Sequence, residues 1–485
     1  MIVTQEKAFL KSQAQLNAMI EWVREAESKD LRVDDVERTL FYHLLEIGLS
    51  LLQAHVAAAG DGDQGKSLEH EGCTLQRLKK PHARRYLSVF GELKIQRRVY
   101  AVREGQAIER APLDEQLGLP QSDFSYVLED WLQRFCVKES MSEAAESLHT
   151  LLRLKPSVAS IERMNQRMAS FAEAYVWQHA PPPANEEGSI LVATADGKGV
   201  PMRRPLEERI RGPKRRGKGE KANKKQMAYV GAVYSIQPFI RTAEDVINEV
   251  RRRQRAQDRP VPQHKRVWAE MTRVMEGETY NGKSLLFIQL AKETEDRNPD
   301  HQKPFVCLMD GEAGLWESQR EWLPGAVQIL DLFHALERLW GVAYCFHPER
   351  SREAEQFVEH YLRLLLEGKV GYAIGNLRRL LTRHDLKGQH RRTLLSTIGY
   401  YNNNRAFMRY DEYLAAGYPI GSGVAEGACR HLVKDRMEQT GMRWTVNGAQ
   451  SMLHLRALYL NGDWESFVDY RIHNEQTKLY GSIAA

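Results

Sequence analysis

Three acidic residues stand where the local pattern changes from an apolar strand to a loop or helix: Asp196 in ILVATADGKGV, Asp310 in PFVCLMDGEAGLW and Glu426 in GYPIGSGVAEGACRHLVKDR. They are 114 and 116 positions apart, so only folding can bring them together. Oxygen-rich clusters assembled this way suit magnesium acting on phosphodiesters, the chemistry of a metal-dependent nuclease or strand-transfer enzyme. Each acid also has a structural reading. Asp-Gly is common turn chemistry for leaving a strand, as at Asp196-Gly197 and Asp310-Gly311, and Glu426 in the first turn of a helix opening near Ser422 is favoured by the helix dipole alone. Jointly these readings are weaker, because strand ends in an α/β sheet are where ligand sites gather.

A polyanion partner is suggested by residues 203–225, which hold eleven Lys or Arg against three Glu while the whole chain has a formal charge of only +5. Such a run, without apolar periodicity, reads as an exposed basic loop, either an electrostatic handle for DNA or a solvated segment. Lys198, two residues past Asp196, and Lys214, Arg215 and Arg216 within the run are the candidate phosphate contacts there. Arg430 and Lys434 follow Glu426 by four and eight positions, on one face if the segment is an α-helix; the alternative is an i,i+4 salt bridge to Glu426. Arg443 and Trp444 offer a charge and a stacking plane to an unpaired base, with a core role as the alternative for Trp444.

The elements that must position these residues can be read from periodicity. With 485 residues and 42% hydrophobic content, the chain is long enough for about three domains with real cores. Residues 5–59 have helical spacing; the apolar stretch Leu40–Ala59 is interrupted by His43, Glu46, Gln53 and His55 and reads as a buried helix, not a membrane span. Gly60 to Ser67 spells a phosphate-loop pattern, but it follows a helix and contains Asp61 and Asp63, so it reads as a flexible inter-domain loop and no nucleotide cofactor is expected. RRYLSVFGELKIQRRVYAV alternates on both sides of Gly91 and predicts a strand pair. Residues 121–175 return to helix, with Pro156 ending one helix and Ser157 capping the next; the pair is a DNA-reading helix-turn-helix, offering Ser160, Glu162, Arg163 and Arg167, or an ordinary helical hairpin. His179–Gly188 is a linker by composition. Beyond it, strands are predicted to end at Asp196, Asp310 and Asp331, with a pair through Gln226–Ile240, a charged helical region over 243–298, and helices from Leu332 to about Tyr413. Five scattered cysteines support neither a disulfide framework nor a zinc site, and the start lacks a signal-peptide pattern, so a reducing cytoplasm is expected.

Taken together, ADGKGVPM, LMDGEAGLW, ILDLFHALERLW and GYPIGSGVAEGACRHLVKDRMEQTGMRW resemble the DDE transposases of bacterial insertion sequences, specifically the ISKra-type group related to Mutator-like elements. The resemblance is strong over about 186–465 and earlier rests on FGELKIQRRVY and the helix pair around Pro156; the cysteine pair that members often carry after that strand is missing from Ala101–Pro112. It implies an α+β, multidomain chain. Residues 1–115 would be a helical unit plus strand pair, 116–185 a helical DNA-binding region and linker, 186–465 a ribonuclease H-like mixed-sheet catalytic domain with a helical insertion over about 335–418, and 466–485 a C-terminal tail. Asp196 would lie on the first strand, Asp310 after the fourth and Glu426 on a helix beyond the insertion, jointly holding two magnesium ions for which manganese substitutes. Asp331 and His334 match the D-x-x-H element after the fifth strand and are expected to support the ligands, Asp331 being the reserve should Asp310 prove structural; a helix cap and a core histidine are the alternatives. The implied activity is cleavage and strand transfer on double-stranded DNA, element ends and target, by a homodimer or larger assembly in the bacterial cytoplasm at the nucleoid, with no membrane partner. A non-catalytic or domesticated DNA-binding regulator and a nuclease without strand transfer are the alternatives.

Overall fold

The computed structural model describes residues 5–204, 225–253, 258–421, 423–439 and 441–481; the basic residues Lys214, Arg215 and Arg216, and Ser422, lie outside them. The chain is mixed α/β and divides into two compact units, Met1–Phe171 with Trp464–Ala485, and Ala172–Asp463.

The first unit opens with a helical hairpin, α1 (Gln5–Ser28) and α2 (Val33–Ala58). Contrary to expectation, α2 is not a buried helix: it is long and apolar enough to cross a membrane, yet only 17% of its most apolar window is buried. The reason is that its buried residues, Ile47, Ser50 and Ala54, leave Phe41, Leu44 and Leu51 exposed. The glycine-rich run that follows enters a strand, β1 (Ser67–His70), where a phosphate loop requires a helix. It is also not a loose connection between domains, because Asp61 pairs with Arg98 at 3.2 Å and Asp63 with Arg77 inside the same unit. β1 joins β2 (Cys73–Arg77) and β5 (Tyr100–Ala101), and the expected hairpin forms as β3 (His82–Ser88) and β4 (Gly91–Arg97), with Gly91 at φ +138° in its turn.

Three longer helices follow in this unit, α4 (Tyr126–Cys136), α5 (Met141–Leu152) and α6 (Val158–Ala169), preceded by the short α3 (Pro112–Gln116). Ser157 caps α6 by accepting from the Ser160 N–H at 3.1 Å, as expected. Arg167, one of the candidate groove readers, is instead spent on Glu129, which is 1% exposed and also binds Arg471. A buried carboxylate needs such partners, so Arg167 serves the core. Arg471 lies on a helix, Trp464–Tyr480, formed by the segment expected as a tail. It is anchored in the first unit by the Trp464 indole N–H donating to Asp130 at 2.6 Å and Glu475 accepting from the Gln121 N–H at 3.1 Å.

The second unit is built on a five-stranded sheet: β6 (Ile190–Pro201), β7 (Lys225–Ile236), β8 (Gln263–Met271), β11 (Phe305–Met309) and β12 (Val327–Leu330), in the spatial order β12-β11-β6-β7-β8. β6, β7 and β8 are antiparallel neighbours, whereas β11 and β12 run parallel to β6. Between β8 and β11 lie the hairpin β9 (Arg273–Met275) and β10 (Glu278–Tyr280) and the helix Gly282–Arg297. Three expectations change here. The pair read through Gln226–Ile240 is the single strand β7, ending at Ile236. β6 does not end at Asp196 but continues to Pro201 on β7, and the region read as charged helix, 243–298, contains the edge strand β8. β8 is disguised because two of its buried positions are charged: Arg266 pairs with Asp463 at 2.6 Å, and Glu270 with Arg273. One face of the sheet is packed by the helices of the expected insertion, Leu332–Ala343, Arg352–Leu366, Val370–Arg383, Gly388–Asn404 and Tyr410–Ala415, through Val192, Leu308, Ile329 and their neighbours. The other face packs Leu286, Phe287, Leu290 and Trp316 against Leu191, Ala193 and Met309.

Candidate metal centre

Strand register is what assembles the acids. Ala195 pairs with Met309, and Met309 with Leu330, so the residues that follow stand at one level: Asp196 on β6, and Asp310 and Asp331 each one residue past the end of the adjacent parallel strands β11 and β12. Neighbouring strands are about 4.8 Å apart, and equal register puts all three on one face by the two-residue alternation. That face carries Val192, Leu308 and Ile329, the side covered by the helical insertion. Asp196 lies mid-strand, at the level where β11 stops, and the ladder is extended by the Asp331 N–H donating to the Met309 carbonyl at 2.8 Å.

The three aspartates are held differently. Asp196 accepts from its neighbour's backbone, Gly197 N–H, at 2.6 Å, and from the Cys429 thiol at 3.2 Å. Cys429 is buried, and burial first and the charge of Asp196 second push its thiol well above the ordinary value, so it stays a neutral donor. Asp310 accepts from the Glu312 N–H at 2.9 Å, and its backbone carbonyl accepts from the Tyr400 hydroxyl. Its carboxyl is raised from the usual range, chiefly by burial, against the lowering Glu312 hydrogen bond and with the negative charge of Asp196 adding to it. Asp331 is fully buried and caps the helix Leu332–Ala343 by accepting from the Phe333 N–H at 2.7 Å.

Glu426 projects from the short helix Gly423–Ala428 and is exposed. Among the described residues, one group of His, Cys, Asp and Glu side chains places its ligand atoms all within 4.8 Å of one another: Asp331, His334 and Glu426. Asp196, Asp310 and Glu426 do not form such a group; Asp196 and Asp310 are linked by their mutual repulsion, and Asp310 by attraction to His334. The residues expected to support the ligands therefore share a mutually close cluster with Glu426, and the two expected as its co-ligands are not members of that cluster. The donor set of two carboxylates and an imidazole accepts a divalent cation, and the imidazole favours manganese or zinc more than an all-oxygen set does.

An open groove of about 560 Å³ runs from Asp310 and His334 along the helices Leu332–Ala343 and Gly388–Asn404, with Arg338 and Arg392 in its wall. Arg338 lies over the Tyr400 ring at 4.8 Å. The other expected contacts fare unevenly. Lys198 is half-buried on β6, near enough to Cys429 to affect it electrostatically. Arg430 and Lys434 are exposed but lie in a π-helical turn, Cys429–Lys434, so the α-helical spacing that put them on the face of Glu426 does not hold. Arg430 instead comes within 3.9 Å of Asp435. Arg443 is exposed, but Trp444 is corrected to its core reading: it is 8% exposed, its indole N–H donates to the Met437 carbonyl at 3.1 Å, and Arg436 covers the ring. Sequence reasoning missed Cys429, Tyr400, Arg338 and Arg392. Cys429 alone had a local signal, lying three residues after Glu426, one helical turn away.

Compared with models of known protein families and with curated proteins, the chain matches none.

Proposed function

We propose that this chain is a DDE-type transposase of the ISKra-like group, binding the terminal inverted repeats of an insertion sequence and carrying out metal-dependent DNA cleavage and strand transfer. The observation that carries the reading is the level row that Asp196 on β6 makes with Asp310 and Asp331, each one residue past the end of its parallel strand, with Glu426 within 4.8 Å of Asp331 at the end of that row. Support for a ribonuclease H-like sheet comes from the strand sequence: Asp196 is on the first strand, Asp310 follows the fourth and Asp331 and His334 follow the fifth, with the helical insertion between them and Glu426.

The carboxyl of Asp310 is raised chiefly by burial, with the charge of Asp196 adding to it, and a half-buried acid beside a second acid is an environment a divalent ion fits. Asp196, Asp310 and Glu426 are the proposed ligands, with Asp331 and His334 bearing on Glu426. Bound there, magnesium or manganese would polarise the scissile phosphate and make a nucleophile of water or a 3′-hydroxyl near neutral pH. The chain's own residues do the positioning. The backbone of Gly197 and the thiol of Cys429 fix the carboxylate of Asp196, Glu312 N–H fixes that of Asp310, and Phe333 N–H fixes that of Asp331. Arg338 and Arg392 in the groove wall, and Lys198 on β6, would hold flanking phosphates without reading sequence.

The test is a nicking and joining assay on DNA carrying the element's own ends. Asp196→Asn, Asp310→Asn and Glu426→Gln are each expected to abolish cutting while binding to the ends persists; a variant that still cuts removes its residue from the site. Cut but unjoined products would leave a nuclease, and binding without any cutting by the unaltered chain would leave a regulator.

A further inference from the structure

The hairpin α1–α2 plays no part in that chemistry, yet it exposes more apolar surface than its own fold requires. On α1, Phe9 (47%), Leu16 (42%), Ile20 (41%) and Val23 (39%) are exposed; on α2, Phe41 (44%), Leu44 (54%) and Leu51 (44%). Their intervals of three, four and seven residues are those of a helix-packing seam. Ser12 and Ala26 on α1, and Ile47, Ser50 and Ala54 on α2, are the buried positions. At 3.6 residues per turn, each exposed row lies on the same rotational flank of its helix's buried row. In an antiparallel hairpin those two flanks fall on one side, so the rows form a single apolar face two helices wide. The opposite flank of α1 carries Lys11 and Glu25, both exposed.

We propose that this face is a self-association surface, on which a second copy of the chain packs its own hairpin to give a four-helix bundle. The seven exposed side chains amount to roughly 650 Å², above the contiguous apolar patch of most monomers and, doubled across a two-fold, about the lower bound of a stable interface. A second hairpin supplies the same seam spacing, which an isologous contact requires. A membrane-lying helix would carry Lys and Arg along its polar flank. Here the charges are mixed, with Glu21–Arg24 and Glu25–Lys29 ion pairs on α1 and Asp34 and Asp35 opening α2. The surface is independent of the proposed reaction and can be tested without DNA.

Sedimentation of the full-length protein at micromolar concentration is expected to show twice the mass of one chain. Ile20→Glu with Leu44→Glu should halve that mass with the circular dichroism spectrum unchanged, because both side chains face outward from a single chain, and should lower the melting temperature only by what the second copy contributed. Should that variant misfold, Ile20→Gln with Leu44→Gln is expected to weaken self-association at least tenfold. The proposal is overturned if the unaltered protein sediments as a single chain, if it does so and instead floats with phosphatidylcholine vesicles, or if a folded variant keeps the doubled mass.

Discussion

Asp310 and Asp331 compete for one role, and their surroundings separate them. Asp310 is raised by burial and by Asp196, with its carboxylate held by a single backbone N–H, whereas Asp331 is fully buried and spends part of its carboxylate on capping a helix. A ligand lost should end cleavage, while a residue that orients ligands should cost about 10–100-fold. Asp310→Asn is therefore expected to leave no measurable nicking and Asp331→Asn a slow but real rate; the opposite ranking, in single-turnover assays with correctly folded protein, would transfer the ligand role to Asp331. A second consequence needs no DNA. Millimolar manganese or magnesium should raise the melting temperature by relieving the repulsion of Asp196 and Asp310, with about 2.7 kcal/mol gained at a hundredfold excess over the dissociation constant. Scanning calorimetry should find that gain diminished in Asp310→Asn, and an equal gain in the variant would place the ion elsewhere. Asp196 and Asp310 were legible because each closes an apolar run before glycine. That Asp331 shares their level was not legible, since register between β11 and β12 is settled by packing across the sheet.

At the scale of elements, β8 shows what holds the site's scaffold together and why it was misread. Its continuous buried run, residues 266–271, contains the charges Arg266 and Glu270, which only ion-pair partners make tolerable, most of them distant in sequence. Glu270, 2% exposed, accepts from Gln289 on the helix Gly282–Arg297 at 3.0 Å, meets His454 on the helix Val446–Leu460 at 3.0 Å, and pairs with Arg273. Burial alone would raise its carboxyl, but His454 and Arg273 outweigh that and hold it below the usual range. A carboxyl depressed by folding contributes stability that is fully present above its unfolded value, about 4.3, and is lost as pH falls through the lower folded value. Glu270→Gln should cost about 3–5 kcal/mol near neutrality by leaving the buried Arg273 guanidinium without its counter-charge. Urea titrations should show the wild-type advantage shrinking below about pH 4; a constant difference down to acid pH would mean that packing, not charge, carries the effect. The helices of the insertion, by contrast, were legible because Leu362, Leu365 and Leu366 recur at helical spacing and meet one continuous core. The α1–α2 hairpin was legible as helix but not as surface: periodicity identifies an apolar stripe without saying what covers it.

For the molecule as a whole, the question is where its modest formal charge of +5 acts on a polyanion. Two sources compete, the basic run 203–225 and the arginines in the wall of the groove beside Asp310 and His334. They differ in what salt should do. Each phosphate neutralised on duplex DNA releases counterions and steepens the dependence of log affinity on log salt by about 0.9. If Arg338 and Arg392 both bind phosphate, Arg338→Ala with Arg392→Ala should lower that slope by about 2 and weaken binding evenly across DNA sequences. Lys214→Ala with Arg215→Ala and Arg216→Ala should lower it by about 3 if the run is an electrostatic handle, and leave it unchanged if the run is only solvated. The comparison also separates anchoring from positioning. Phosphate contacts beside the acids fix where the scissile bond lies, so the groove variant should lose cleavage beyond its loss of binding, even at saturating DNA. Contacts made by the basic run supply affinity alone, so its variant should recover full cleavage once DNA is raised to compensate. Filter-binding slopes over 50–200 mM salt, read beside single-turnover nicking at saturation, decide between these outcomes. A groove variant with unaltered slope and unaltered nicking would deny that DNA follows the groove past Arg338 to Asp310.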